Sequence, residues 1–206
     1  MMPTLLIFGG TFDPPHRAHT ELPPLVADQL DCDRILYVMA SLNPLKADSP
    51  PTSAEHRLAM LEIAISDLPK AEICTLELDR PGPSYAVQTL EQLREAHGTD
   101  VGFYLLLGSD QALQFTKWKD WEHILELATP VVMLRPPLDI KQFEQQLSES
   151  CPPKLLANWL EWIADLPQLD ISATEIRQRF IVGKGFDDSL DPRVLAYIKE
   201  HGLYLI

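Results

Sequence analysis

The 206-residue chain is short of positive charge: 17 Lys and Arg stand against 30 Asp and Glu, a formal net charge of −13. A surface of that sign repels phosphate backbones and anionic membranes at long range, which argues against nucleic acid as a main partner. A small anionic ligand remains compatible, provided that local cations or N–H donors are supplied somewhere. Cysteine is scarce as well. Cys32, Cys74 and Cys151 are odd in number, scattered and in no CxxC pattern, so neither a disulfide framework nor a thiolate zinc site is expected, and reduced thiols in a cytosol fit best. Long hydrophobic runs are missing too. The first apolar stretch, Thr4 to Phe8, follows no basic leader and is too short for a signal sequence or a membrane span. The expectation is a soluble cytoplasmic protein that contacts no membrane, a monomer or small homo-oligomer.

Short apolar runs alternate with stretches of helical period, which predicts parallel strands joined by crossover helices. The strands are expected at Thr4 to Phe8, Arg34 to Met39, Glu72 to Leu76, Val101 to Leu107 and Pro130 to Leu134. Leu58, Leu61 and Ile65 mark one helix face, and Val87, Leu90 and Leu93 another. Right-handed crossovers then give a doubly wound α/β sheet, whose ligands bind beyond the C-terminal strand ends, just after Phe8, Met39 and Leu107. No internal repeat or low-complexity tract interrupts this order. The length suits a single domain over residues 1–206, with a core of about 1–135 and a small C-terminal helical region of about 170–206. Ser172 to Val182 and Asp191 to His201 read as its two helices, stopped by Gly183 and Gly202. Between Arg135 and Leu169 only one amphipathic helix is expected, marked by Leu155, Leu156, Trp159, Leu160 and Ile163.

After the first strand comes Gly9-Gly10-Thr11-Phe12-Asp13-Pro14-Pro15-His16-Arg17-Ala18-His19, a glycine turn leading toward a helix start. Glycines let backbone approach a phosphate, and free N–H groups at a helix N-terminus attract anions. His16 and His19, three apart, share a helix face and suit joint donation to phosphate oxygens. The pair is equally compatible with metal binding or with plain surface or core histidines, although no carboxylate or Cys sits beside it at ligand spacing. Toward the C-terminus, Ser172 and Glu175 have capping-box spacing, and Arg177 lies one turn into the same helix, where a planar cation can add to an anion site.

The Gly9 to His19 segment resembles the GGTFDPxHxGH signature of the (H/T)xGH nucleotidylyltransferases, and Ile171 to Arg177 resembles their ISSTxIR motif. Within that family the chain is most similar to the nicotinate-mononucleotide adenylyltransferases, almost end to end except for Arg135 to Leu169. The resemblance implies a Rossmann-like core and transfer of AMP from ATP to nicotinate mononucleotide, giving deamido-NAD and pyrophosphate, with Mg²⁺ carried by the ATP phosphates and no protein metal site. It implies that Gly9, Gly10, Thr11, Phe12, His16, His19, Ser172, Thr174 and Arg177 bind ATP. His16, His19, Arg177 and Lys46 would carry the catalysis.

For the mononucleotide the resemblance implies Asn43, Lys46, Ser84, Tyr85, Asp110 and Trp118. Asn43-Pro44-Leu45-Lys46 would bring a lysine to the substrate phosphate, although Lys46 is otherwise an ordinary solvated loop residue. Pro83-Ser84-Tyr85-Ala86 is similar to the segment that holds the pyridine carboxylate; read locally, Ser84 is a helix N-cap. Gly108-Ser109-Asp110 would place Asp110 near the ribose, and is also a common turn. In Lys117-Trp118-Lys119-Asp120-Trp121, Trp118 would stack on the pyridine ring while Trp121 packs in the core.

Three positions depart from the motifs. Ala18 stands where the signature has Gly, which implies a methyl against the nucleotide and weaker ATP binding. Ala173 replaces a Ser, and Ala86 replaces the Thr of many nicotinate enzymes. Nicotinamide mononucleotide as the preferred substrate, and a non-catalytic nucleotide sensor, are the alternatives. Phosphopantetheine adenylyltransferases are shorter and lack the Lys117 to Trp121 and Ile171 to Arg177 matches. An aminoacyl-tRNA synthetase would need a KMSKS-like loop and a basic surface.

Overall fold

Leu6 and Phe8 face one core while Leu5 and Ile7 face another; a first strand buried on both sides belongs inside a helix-covered parallel sheet. The computed structural model describes residues 2–41, 51–80, 82–183 and 188–205. In them the sheet has five strands, β1 (Thr4–Gly10), β2 (Arg34–Met39), β3 (Ala71–Cys74), β4 (Gly102–Gly108) and β5 (Thr129–Met133). Their order is β3-β2-β1-β4-β5, every pairing parallel. The chain returns to the middle after β3, so the strand order switches direction between β1 and β4. That switch leaves a crevice beyond their C-terminal ends.

The helices are α1 (Arg17–Gln29), α2 (Ala54–Ile65), α3 (Ala86–His97), α4 (Ser109–Ala112), α5 (Trp121–Leu127), α6 (Ile140–Ser150), α7 (Pro153–Glu161), α8 (Ala173–Ile181) and α9 (Pro192–Glu200), with a 3₁₀ turn at Phe115–Lys117. Leu22 and Val26 of α1, Met60 and Leu61 of α2, Ile176 of α8 and Val194 of α9 cover the face that carries Leu6, Tyr37 and Met39. Leu90 of α3, Ile124 of α5, Phe143 of α6 and Trp159 of α7 cover the other. The doubly wound expectation holds, and four strand positions agree closely. β3 stops at Cys74, two residues before the expected end, because Leu78 N–H turns back to the carbonyl of Thr75 at 2.7 Å.

The segment from Arg135 to Leu169 holds two helices where one was expected. α6 is bracketed at its start by a reciprocal cap: Asp139 Oδ1 accepts from Gln142 N–H at 2.8 Å and Gln142 Oε1 from Asp139 N–H at 3.0 Å. It buries only Phe143 and Leu147, a thin apolar stripe in a Gln- and Glu-rich stretch. After α7 the chain runs beside β5. Val132 N–H reaches the carbonyl of Trp162 at 2.8 Å and Ala164 N–H that of Val132 at 3.0 Å, so this segment covers the exposed edge of the sheet.

Both C-terminal helices stop at the expected glycines. Gly183 and Gly202 adopt φ of 61° and 59°. After α9, Gly202 N–H bonds to Lys199 O at 3.3 Å and Leu203 N–H to Ile198 O at 3.0 Å, the paired closure of a Schellman end. It turns the chain so that Tyr204 reaches Asp13, in the segment after β1. No helix among the described residues is long and apolar enough to cross a membrane.

Candidate active site

A cavity of about 780 Å³ opens at the switch point, beyond the ends of β1 and β4. Gly9, Gly10, Thr11, Phe12, His16 and His19 from the N-terminal side of the chain and Ser172, Thr174 and Arg177 from α8 and its start all line it. Ser84, Tyr85, Asp110 and Trp118 line the same cavity. Asn43 and Lys46 lie outside the described residues.

The histidine turn is built from its aromatic packing. Phe12 takes φ of 50° and is buried against Phe8 and the edge of His19, with centroids 5.7 and 5.2 Å away. His16 is the N-cap of α1, and its N–H donates to His19 Nδ1 at 3.2 Å. With Nδ1 accepting, the His19 proton sits on Nε2. The two rings stack at 3.6 Å with 19° between their planes. Burial, and secondarily the charge of Arg135, pulls His16 down from 6.5 to about 3. His19 is also held well below its usual value, first by burial and then by His16 and Arg135. Both imidazoles are therefore neutral at pH 7 and offer N–H dipoles. Among the described residues the full positive charges on the cavity wall belong to Arg177, Arg135, Lys117 and Lys119.

Arg177 joins the two ends of the chain. Its Nη1 donates to the carbonyl of Asp13 at 2.7 Å and its Nη2 to Thr174 Oγ1 at 3.4 Å. The capping box expected of Ser172 and Glu175 does not form. Ser172 is the N-cap without a side-chain hydrogen bond; it lines the cavity and also, with Glu175, Arg17 and Arg179, a neighbouring groove.

Ser84 is not a helix cap either. Tyr85 holds the N-cap position of α3, and Ser84 Oγ accepts from Ser41 N–H at 3.0 Å, tying the segment after β2 to that before α3. Lys119 lies 5.0 Å above the Tyr85 ring. Trp118 follows the 3₁₀ turn and packs 5.3 Å from Phe115, while Trp121 packs against the core away from the cavity. Gly108 explains the Gly-x-Asp spacing: a Cβ there would meet Asp110 Oδ1 at 2.7 Å and Arg135 Nε at 3.3 Å. Only glycine lets the two side chains approach over the strand end.

Arg135 was missed by sequence reasoning, although it follows β5 and the strand-end rule that singled out the residues after Phe8, Met39 and Leu107 covers it equally. Glu77, a buried carboxylate on the cavity wall that accepts from Thr89 Oγ1 at 2.6 Å, was missed as well. Ala18 differs from expectation. It is 4% exposed and packs in the core, and it is not among the residues that line the cavity. Among the described residues no three His, Cys, Asp or Glu side chains gather as a metal site.

Fold and site together define a cytidylyltransferase-like protein: the model of that family matches residues 7–179, and the chain belongs to it. Its full-length relatives narrow the family to the nicotinate-nucleotide adenylyltransferases. The chain is 36% identical over 208 residues to the nicotinate-nucleotide adenylyltransferase of Salmonella typhi, covering 96% of this chain and 97% of that one. It is 38% identical over 200 residues to a protein of Roseiflexus sp. (strain RS-1) named a probable nicotinate-nucleotide adenylyltransferase, covering 96% of each. In fold it is similar to Plasmodium falciparum nicotinic acid mononucleotide adenylyltransferase complexed with NaAD, with a TM-score of 0.73, 22% identity and coverage of 98% and 97%.

Proposed function

We propose that the protein transfers the AMP portion of ATP to nicotinate mononucleotide, forming deamido-NAD and pyrophosphate. The observation that carries this reading is the convergence of His16, His19 and Arg177, from opposite ends of the chain, on one cavity at the sheet's switch point. The names of the full-length relatives support the choice of substrate. An oxygen of the mononucleotide's 5′-phosphate attacks the α-phosphorus of ATP in line. The new P–O bond forms as the bond to the bridging oxygen breaks, and pyrophosphate leaves with those electrons. The attacking oxygen is already anionic, so no general base is required. Catalysis is positioning plus charge stabilisation.

In this reading His19 Nε2–H and the His16 ring donate to phosphate oxygens, while Arg177 and Arg135 supply fixed charge. Ser172 and Thr174 at the start of α8 add hydroxyl and N–H donors. Trp118 stacks on the pyridine, Ser84 and Tyr85 hold its carboxylate, and Asp110 accepts from the ribose. Asn43 and Lys46 complete the mononucleotide site. In this reading the divalent cation arrives on the triphosphate. Mg²⁺ would neutralise phosphate charge there. Three free, buried cysteines support a reducing, cytoplasmic setting.

Glu77 favours one second reading: a carboxylate on the wall is a good acceptor for an amide and a poor neighbour for an acid, so nicotinamide mononucleotide is the competing substrate. Pyrophosphate release from ATP and Mg²⁺ with each mononucleotide decides. The expected result is a higher kcat/KM with nicotinate mononucleotide, and a loss of roughly 10²- to 10³-fold in kcat for His19→Ala. No release with either substrate would overturn the reading.

A further inference from the structure

Tyr204 lies outside the cavity, yet it touches both arms that the proposed chemistry needs. Its hydroxyl donates to Asp13 Oδ1 at 2.6 Å. The other carboxylate oxygen, Oδ2, accepts from Thr52 N–H at 3.1 Å. Asp13 is thus gripped on both sides, and its own carbonyl is the acceptor for Arg177 Nη1. His16 follows three residues later. On its other side the Tyr204 ring packs 5.7 Å from Phe180, which sits one turn beyond Arg177 on α8. One side chain near the C-terminus therefore sets the carbonyl that aims the guanidinium and also braces the helix that carries it.

The backbone supports a purpose for this placement. Tyr204 holds φ of 63°, a left-handed conformation that residues with a Cβ rarely adopt. The Schellman closure after α9 delivers the chain there, with Gly202 taking the first left-handed position. Burial, and then the neighbouring Asp13, raises the tyrosine hydroxyl above its usual value, so it remains a donor at any physiological pH.

We propose that Tyr204 is a positioning residue of the adenylyl transfer, holding Asp13 so that its carbonyl orients Arg177 toward the triphosphate. The inference rests on the function proposed above. Its test is steady-state kinetics on the full chain with ATP and the mononucleotide varied in turn, for wild type, Tyr204→Phe, Arg177→Ala and the double variant, with Tm measured alongside. Tyr204→Phe keeps the ring on Phe180 and removes only the hydroxyl, so the fold should persist.

The expected result is a loss of ~10-fold or more in kcat/KM for ATP, with KM for the mononucleotide within about twofold of wild type. In the Arg177→Ala background the same change should cost no more than about twofold, since the two residues act as a unit. An unaltered ATP dependence would overturn the proposal. So would an equal rise in KM for both substrates, or a full multiplicative cost in the double variant. If wild type releases no pyrophosphate, the functional reading fails separately. The rise in Tm on adding ATP then decides Tyr204 by itself: a smaller rise in Tyr204→Phe supports it, and an equal one overturns it.

Discussion

Tyr37 donates its hydroxyl to the main-chain carbonyl of His19 at 3.0 Å, and that carbonyl is the one Pro23 leaves without an intrahelical partner. α1 contains Pro23 and Pro24, and a proline inside a helix has no N–H for the carbonyl four residues earlier. Tyr37, fully buried on β2, fills that role from beneath the helix. Burial keeps its hydroxyl protonated by raising it above its ordinary range. The sheet therefore holds the backbone of a histidine on the cavity wall.

Replacing Tyr37 with Phe keeps the ring and removes the donor. The His19 carbonyl is then left unpaired at a site the proline cannot repair, which should lower stability by about 1–3 kcal/mol. Urea unfolding measures this directly. An unchanged midpoint and slope would show that the contact contributes nothing.

His16 links stability to pH. Its value falls from 6.5 to about 3 in the folded protein, chiefly through burial. Below pH 6.5 the unfolded chain takes up a proton that the native protein refuses, so this contribution is present in full above 6.5 and is lost as pH falls toward 3. Each such histidine adds a slope of ~1.4 kcal/mol per pH unit across that window. Unfolding free energies at about pH 7, 6 and 5 should fall for wild type and fall less steeply for His16→Asn. Parallel lines would count against the assignment.

Most of the sheet was legible because strands buried on both faces appear as unbroken apolar runs, as Thr4 to Phe8 and Val101 to Leu107 do. The histidine pair and Arg177 were legible as residue types at fixed spacing beside a strand end or a helix start. What escaped lay in long-range contacts. Asp13 and Tyr204 are 191 positions apart, and Asp13 and Arg177 are 164 apart; no local pattern announces either pairing. The expected capping box is a local reading that the fold does not carry out: spacing proposes that the Ser172 side chain caps the helix start, and no such hydrogen bond forms.

Gly108→Ala tests the strand end. Its φ of −72° and ψ of 154° suit alanine, so backbone strain is not at issue. The new methyl would instead crowd Asp110 Oδ1 and Arg135 Nε, both at the ends of side chains that can swing away. The expected result is a nearly unchanged Tm with KM for the mononucleotide raised ~10-fold. A large fall in Tm with unaltered KM would mean that the glycine serves packing rather than the site.

Arg57 is a buried cation whose hydrogen-bond partners among the described residues are all carbonyls. It is 2% exposed, and its Nε donates to Thr52 O at 2.9 Å while Nη1 donates to Thr11 O and Ala40 O at 2.8 Å each. Those oxygens belong to the segment after β1, the segment after β2 and the lead into α2, three stretches with no regular hydrogen bonding of their own. Burial lowers the guanidinium's pKa, the cost of keeping a planar fork where a smaller cation could not span all three. Arg57→Met should leave the carbonyls unpaired and lose on the order of 3 kcal/mol or more. Arg57→Lys, a compact charge without the fork, should recover less than half of that. Thr11 and Ala40 line the cavity, so the same variants should also raise KM for ATP. A lysine variant with wild-type stability and kinetics would show that charge alone suffices and that the fork geometry is incidental.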